Sequence, residues 1–193
     1  MRTKRQIFKI LLIENIMFEF GAGLYGPIYA IYAEKLGGSI LTAGVAWAIF
    51  LLVLGICGFA TAKYIDRFSL KKMAIITSIL HAFLIFLYIF VSHVWQLFTL
   101  QLLLGLVGAI NFPAWDAWFT KTQDPDKQGS SFALMHGTNN IGRGLAALVG
   151  SSVAFFLGFK MLFLVSSIFV LISTFLLFNL EEEVKPVKLN NKS

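Results

Sequence analysis

Four polar residues, His136, Asn139, Asn140 and Arg143, recur at spacings of three, four and seven in an otherwise apolar stretch, which puts them on one face of a helix. Arg143 falls about thirteen residues inside that stretch, too deep for its stem to carry the guanidinium back to water, so it needs an acidic or carbonyl partner. Glu19 lies about twelve residues into the first apolar run, at a matching depth, and is the first candidate. Desolvation penalises a carboxylate there, so Glu19 is a group able to bind and release a proton as its surroundings change. Asn15, Gly23 and Pro27 stand at four-residue steps from it, and Glu14 sits one turn nearer the start on another face. His136 can relay protons or serve only as a hydrogen-bonding residue. Two readings stay open: a transport or proton site, and a polar seam that merely ties helices together. Among the aromatics, Tyr25, Tyr29, Trp47, Phe112, Trp115 and Trp118 could line a cavity for organic molecules, with Tyr25, Phe112 and Trp115 the first choices. Tyr32, Trp95 and Trp118, near helix ends, read as an interfacial belt.

Such residues can be positioned only by membrane helices. Of the chain, 58% is hydrophobic and 13% charged, far from the quarter charged of ordinary water-soluble domains. Runs of about twenty apolar residues predict helices at about 7–33, 40–64, 73–91, 95–120, 130–157 and 160–180, one all-α membrane domain over 1–180 followed by a polar tail at 181–193. The basic start, MRTKRQIFK, could mimic a secretory signal, but the run behind it carries Glu14 and Glu19 and continues to about Ala33. With the N-terminus cytoplasmic, the inner side receives Arg2, Lys4, Arg5, Lys9, Lys63, Arg67, Lys71, Lys72, Lys121, Lys127, Lys185, Lys188 and Lys192, and the outer side Lys35 and Lys160. Both termini are therefore expected in the cytoplasm of a cell-membrane protein. The net charge of +6 reflects this topology rather than nucleic-acid binding. The single cysteine, Cys57, can form no intramolecular disulfide, and no metal cluster or cofactor is suggested. Phosphate-loop, zinc-protease and nucleophile-elbow motifs are absent from the sequence, so no enzyme is expected.

The helices divide by role. The third and sixth are rich in Phe, Leu and Ile all round and are expected to face lipid. The second carries Gly44, Ala48, Gly55 and Ala62, with Gly58 nearby, and the fifth carries Gly137, Gly144, Ala147 and Ser151; such stripes let helices approach closely. Acidic groups and prolines fall on the first and fourth. That order repeats after three helices. PIYAIYAEK (Pro27 to Lys35) and PAWDAWFTK (Pro113 to Lys121) share a proline, two aromatics and a lysine in register, preceded by Gly21-Ala22 and Gly108-Ala109. Three intervening helices reverse the second copy in the membrane, a 3+3 inverted repeat.

The turn after the second helix, Ala62-Lys63-Tyr64-Ile65-Asp66-Arg67-Phe68-Ser69-Leu70-Lys71-Lys72, resembles the cytoplasmic signature G-x-L-A-D-R-x-G-R-R-K of the major facilitator superfamily of secondary transporters. Asp66 and Arg67 match outright, and Lys71 and Lys72 keep charge; Ala62 and Ser69 replace the glycines. Gln101-Leu102-Leu103-Leu104-Gly105 is similar to the family's fourth-helix R-x-x-x-G, with Gln for Arg, and of the fifth-helix G-P-x-x-G-G only Gly150 remains. The resemblance covers most of the chain but only one half of a twelve-helix fold. It implies alternating-access transport of a small organic solute, proton-coupled; the membrane-embedded groups already singled out by depth and helix face, Glu19, Arg143, Asn15, Asn140, His136, Tyr25, Phe112 and Glu14, are the candidate substrate or proton residues. Asp116, near the inner end of the fourth helix, would pair with Arg67 or Lys71 beside Asp66 as a cytoplasmic latch, with a direct substrate role as the alternative. Beginning at Met1 and ending in a polar tail, the chain is expected to be a complete small protein, with a cut twelve-helix parent as the alternative. Two copies would then supply twelve helices, with Gly44, Ala48 and Gly55 of one against Gly137, Gly144 and Ala147 of the other; packing of those stripes within one bundle is the competing expectation. The other class in play is a channel or an accessory subunit of another membrane protein.

Overall fold

A computed structural model describes residues 4–180; the polar tail with Lys185, Lys188 and Lys192, and Arg2 at the start, lie outside the described residues. Those described are helical, without strands. Helices α1 (Lys4–Gly23), α2 (Tyr29–Lys35), α3 (Ile40–Thr61), α4 (Leu70–Leu87), α5 (Val94–Thr122) and α6 (Gln128–Phe178) follow one another through short turns. Four stretches are long and apolar enough to cross a membrane: Ile40–Thr61, Leu70–Phe90, Val94–Thr122 and Pro125–Phe178.

The last of these runs 54 residues, over twice what one crossing needs. At Gly158 the backbone takes φ 85° and ψ 169°, a left-handed region open to glycine, and the helix breaks into arms 128–157 and 159–178. The arms run antiparallel, because Ile7 and Leu11 pack in one cluster with Met135 from the start of the first arm and Leu177 from the end of the second. The first predicted helix differs more. It is broken between α1 and α2 by a short 3-10 turn, Gly26–Ile28, with Pro27 at its start, where a missing N–H costs nothing. Pro113 sits inside an unbroken α5. The second helix stops at Thr61, short of 64, and the third starts at Leu70, earlier than 73, because Ser69 caps it through the backbone N–H of Lys72.

Helix α1 lies against both arms of α6, and α5 lies against α3 and α4. Small residues and polar side chains make these contacts, as expected where water supplies no driving force between helices. Gly105 brings α5 so close to α3 that a Cβ there would stand 2.8 Å from the Phe50 carbonyl. Asn111 Nδ2 donates to Thr77 Oγ1 at 2.8 Å and Ser78 Oγ at 3.0 Å, joining α5 to α4. Ser166 Oγ donates to the Gly21 carbonyl at 2.6 Å, joining the second arm to α1.

The lipid-facing expectation for the third and sixth helices needs correction. Helix α4 buries Thr77, Ser78 and His81, and the second arm buries Ser166, Ser167, Ser173 and Thr174. Only their other faces, with Ile76, Phe83, Ile172 and Phe175, are exposed. The least buried helix is α3, whose fully buried residues are Ala43 and Ala46. An all-round apolar surface suits lipid and protein interior equally, so the small polar residues, not the apolar ones, mark the packed side.

Candidate functional site

Helices α1 and α5 and the first arm of α6 enclose a polar cavity of about 350 Å³. Glu14, Asn15 and Glu19 enter it from α1, Asn111, Phe112, Trp115 and Asp116 from α5, and His136, Asn139, Asn140 and Arg143 from α6. The three-four-seven spacing on α6 does put its polar residues on one cavity wall. Arg143 Nη2 and Nε converge on one oxygen of Glu19, Oε2, at 2.6 and 2.8 Å. The Glu19 side chain is 16% exposed and that of Arg143 54%, so the carboxylate is the enclosed partner. One turn inward, Asn139 Nδ2 donates to Asn15 Oδ1 at 2.6 Å. Glu14 is buried and accepts from Trp115 Nε1 at 2.7 Å, with the indole stacked on Phe119. His136, Asn140 and Asp116 are exposed along the cavity wall.

A second, more apolar cavity of about 580 Å³ lies toward the α1–α2 break, lined by Tyr25, Pro27, Trp47, His81 and Gln101. Phe18, Glu19, Phe112 and Arg143 line both cavities. The ion pair and two phenylalanines therefore form the partition between an acidic inner chamber and an aromatic outer one. Gln101 Nε2 donates to the Tyr29 hydroxyl at 2.6 Å.

Some sequence expectations fail here. Among the described residues Asp116 makes no ion pair with Arg67 or Lys71. Lys71 Nζ donates to the Phe178 carbonyl at 3.1 Å and to the Leu180 carbonyl, and Arg67 lies over the Tyr64 ring. Asp116 is more than a turn in from the end of α5 and turned toward the inner cavity, while Lys71 caps the last carbonyls of α6. Asp66 is exposed. Trp118 and Tyr32 are core residues, 1% and 6% exposed, rather than belt residues; the Tyr32 hydroxyl donates to the Tyr88 carbonyl at 2.9 Å. Trp95, 64% exposed, is where a belt residue should be. The small-residue stripes do not pack within the bundle: a Cβ added at Gly44, Gly55, Gly137 or Gly144 would meet nothing within 4 Å, Ala48 is exposed and Ala147 half-buried. The sequence reading missed His81, buried on α4 against Phe18. Its signal was the stripe Thr77, Ser78, His81 on an otherwise apolar helix.

The family model of the Major Facilitator Superfamily matches residues 11–193. The chain belongs to that superfamily. As a superfamily member it is a multi-pass membrane protein related to transporters, not to enzymes. Curated relatives include proteins named "Multidrug resistance protein MdtG": 28% identical over 84% of this chain in Proteus mirabilis, 26% over 83% in Enterobacter lignolyticus and 24% over 81% in Salmonella arizonae. These alignments cover 41%, 40% and 40% of the relatives, so the chain spans well under half their length.

Proposed function

We propose that this superfamily member is a half-bundle of a secondary transporter, moving amphipathic organic molecules by alternating access, with proton exchange at Glu19 making and breaking its pair with Arg143. The observation that carries the reading is the position of that pair, in the wall shared by two cavities. Because the pair stands in that shared wall, separating Glu19 from Arg143 would change the partition between the chambers. Glu19 is matched by Arg143 and Glu14 is buried on the Trp115 N–H, so Asp116 is the carboxyl left open to a cationic group in the inner chamber, while the aromatic outer chamber suits an apolar body. The relatives' name, multidrug resistance protein, fits a solute of this kind.

In this proposal the first span is α1 with α2, and α6 contributes two spans, giving six crossings with both termini cytoplasmic. The packing supports a 3+3 inverted repeat, since the first span lies on the fifth and sixth as the fourth lies on the second and third. Two bundles are needed to rock about one site, and the open faces at Gly44, Gly55, Gly137 and Gly144 suit a second bundle, here a second copy of the chain. The test is ethidium flux into liposomes holding the purified chain. Saturable uptake accelerated by ethidium on the far side supports a carrier; flux that never saturates indicates a pore and sinks the reading.

A further inference from the structure

At the end of the bundle where α2 stops and α6 turns back, a pocket of about 210 Å³ lies between the last turn of α2, the turn after α4 and the start of the second arm of α6. Lys35 and Lys160 both line it, and among the described residues they are the only lysines or arginines at that end. Two ammonium groups in one place repel, and no carboxylate lines the pocket to offset them. Glu34 is exposed beside Lys35, yet among the described residues neither lysine makes an ion pair or a hydrogen bond. A lysine that merely snorkels extends into water, whereas Lys35 Nζ lies over the Phe159 ring in the pocket wall, 4.9 Å from its centroid. The Tyr32 hydroxyl is committed to the Tyr88 carbonyl, which leaves the two ammonium groups as the open polar groups there. A separate groove of about 240 Å³, almost wholly apolar, adjoins this pocket through Val91, which lines both. Leu87 and Phe90 bound it on one side and Trp95, Leu100 and Leu103 of α5 on the other. Trp95 is exposed at the start of α5 as a headgroup-level residue should be, and from there to Leu103 the helix descends about 12 Å. A cationic pocket at the membrane surface thus stands beside an apolar groove that enters the hydrocarbon.

We propose that pocket and groove together form a site for an anionic phospholipid, with Lys35 and Lys160 holding the phosphate and one acyl chain lying along α5. The phosphate oxygens accept hydrogen bonds from both ammonium groups and remove the repulsion between them. A zwitterionic lipid brings an ammonium group of its own to the same place, so the site selects a headgroup of net negative charge, such as that of phosphatidylglycerol. Neither pocket nor groove shares a residue with the inner cavity, and the lysine pocket shares none with the outer one. Lipid binding here requires neither transport nor a particular orientation of the chain in the membrane.

The test places the purified full chain in phosphatidylcholine nanodiscs carrying a trace of phosphatidylglycerol with a photoreactive diazirine on its acyl chain. A phosphatidylcholine with the same tail is the comparison. After illumination, adducts of the phosphatidylglycerol probe are expected to concentrate on residues 87–103, while the phosphatidylcholine probe spreads over the exposed apolar surface. Competition with unlabelled phosphatidylglycerol then gives an apparent affinity, which Lys35→Gln and Lys160→Gln are each expected to weaken about fivefold. Lys35→Arg keeps the charge and is expected to stay within about twofold of the parent. Glycerol phosphate, the headgroup anion without tails, is expected to leave the labelling in place. The comparison of the two probes uses the unaltered chain, so it stands even where a variant fails to fold. Equal labelling of 87–103 by both probes, or labelling unchanged when both lysines become glutamine in a folded protein, overturns the proposal. Displacement by glycerol phosphate would assign the pocket to a soluble anion and overturn it as well.

Discussion

Replacing Gly150 by alanine should damage this protein out of proportion to one methyl group. A Cβ at that position would lie 1.8 Å from the Leu24 carbonyl oxygen, 2.6 Å from its carbon and 2.9 Å from its Cα, all backbone atoms at the break between α1 and α2. An ordinary carbon–oxygen contact is about 3.3 Å, so the two backbones would have to part by about 1.5 Å. No rotamer change relieves a clash with backbone, and overpacking of this kind costs about 1–3 kcal/mol, here at the upper end. For a chain of this size that lowers the melting temperature by about 5–10 °C. Gly144→Ala, one and two-thirds turns earlier on the same helix, is the control: its Cβ meets nothing within 4 Å and the bundle should melt as the parent does. Thermal unfolding by circular dichroism in detergent distinguishes them. Equal melting of Gly150→Ala and the parent would refute the close approach of the first arm of α6 to the break between α1 and α2.

Asn15→Leu strands the amide of Asn139 and should cost about 1–3 kcal/mol, whereas Asn15→Leu with Asn139→Leu should cost less than either single change predicts, read from a double-mutant cycle of unfolding; strict additivity would count against the pair. Lys71→Met removes the cation from the last carbonyls of α6 and should cost about 0.5–1 kcal/mol, with faster hydrogen exchange over the final turn of α6; unchanged exchange there contradicts the capping role. Gly55→Leu and Gly144→Leu should leave the melting of the bundle unchanged but lower the yield of chemically cross-linked dimer expected of the parent and abolish flux, while a transport-competent monomer would rule the paired-bundle model out.

The polar face of the first arm of α6 was legible because a 3.6-residue period fixes which residues share a side, and depth along the helix then singled out Glu19 as the partner of Arg143. Depth says little about direction around the axis, which is why Asp116 was matched with Arg67 and Lys71 when it turns toward the inner cavity instead. Gly158 could be read as a turn, since only a break there yields helices of membrane length. The break near Pro27 could not be separated by sequence from the tolerated Pro113; what differs is packing, with the Leu24 carbonyl seated on Gly150. Trp118 and Tyr32 illustrate the same limit, because an aromatic near a helix end looks alike whether it meets headgroups or core. His81 was overlooked because its helix was assigned to lipid from its apolar residues.

In the proposed transport cycle the Glu19–Arg143 pair is the moving part of the site rather than a fixed tie. Its most direct test is ethidium movement driven by a pH gradient across liposomes, compared for the parent, Glu19→Gln and Arg143→Gln after each variant is shown to be folded and inserted. Gradient-driven movement is expected in the parent and its loss in both variants; movement by both at the parent's rate, with the same response to pH, would leave the pair a fixed tie with no part in transport.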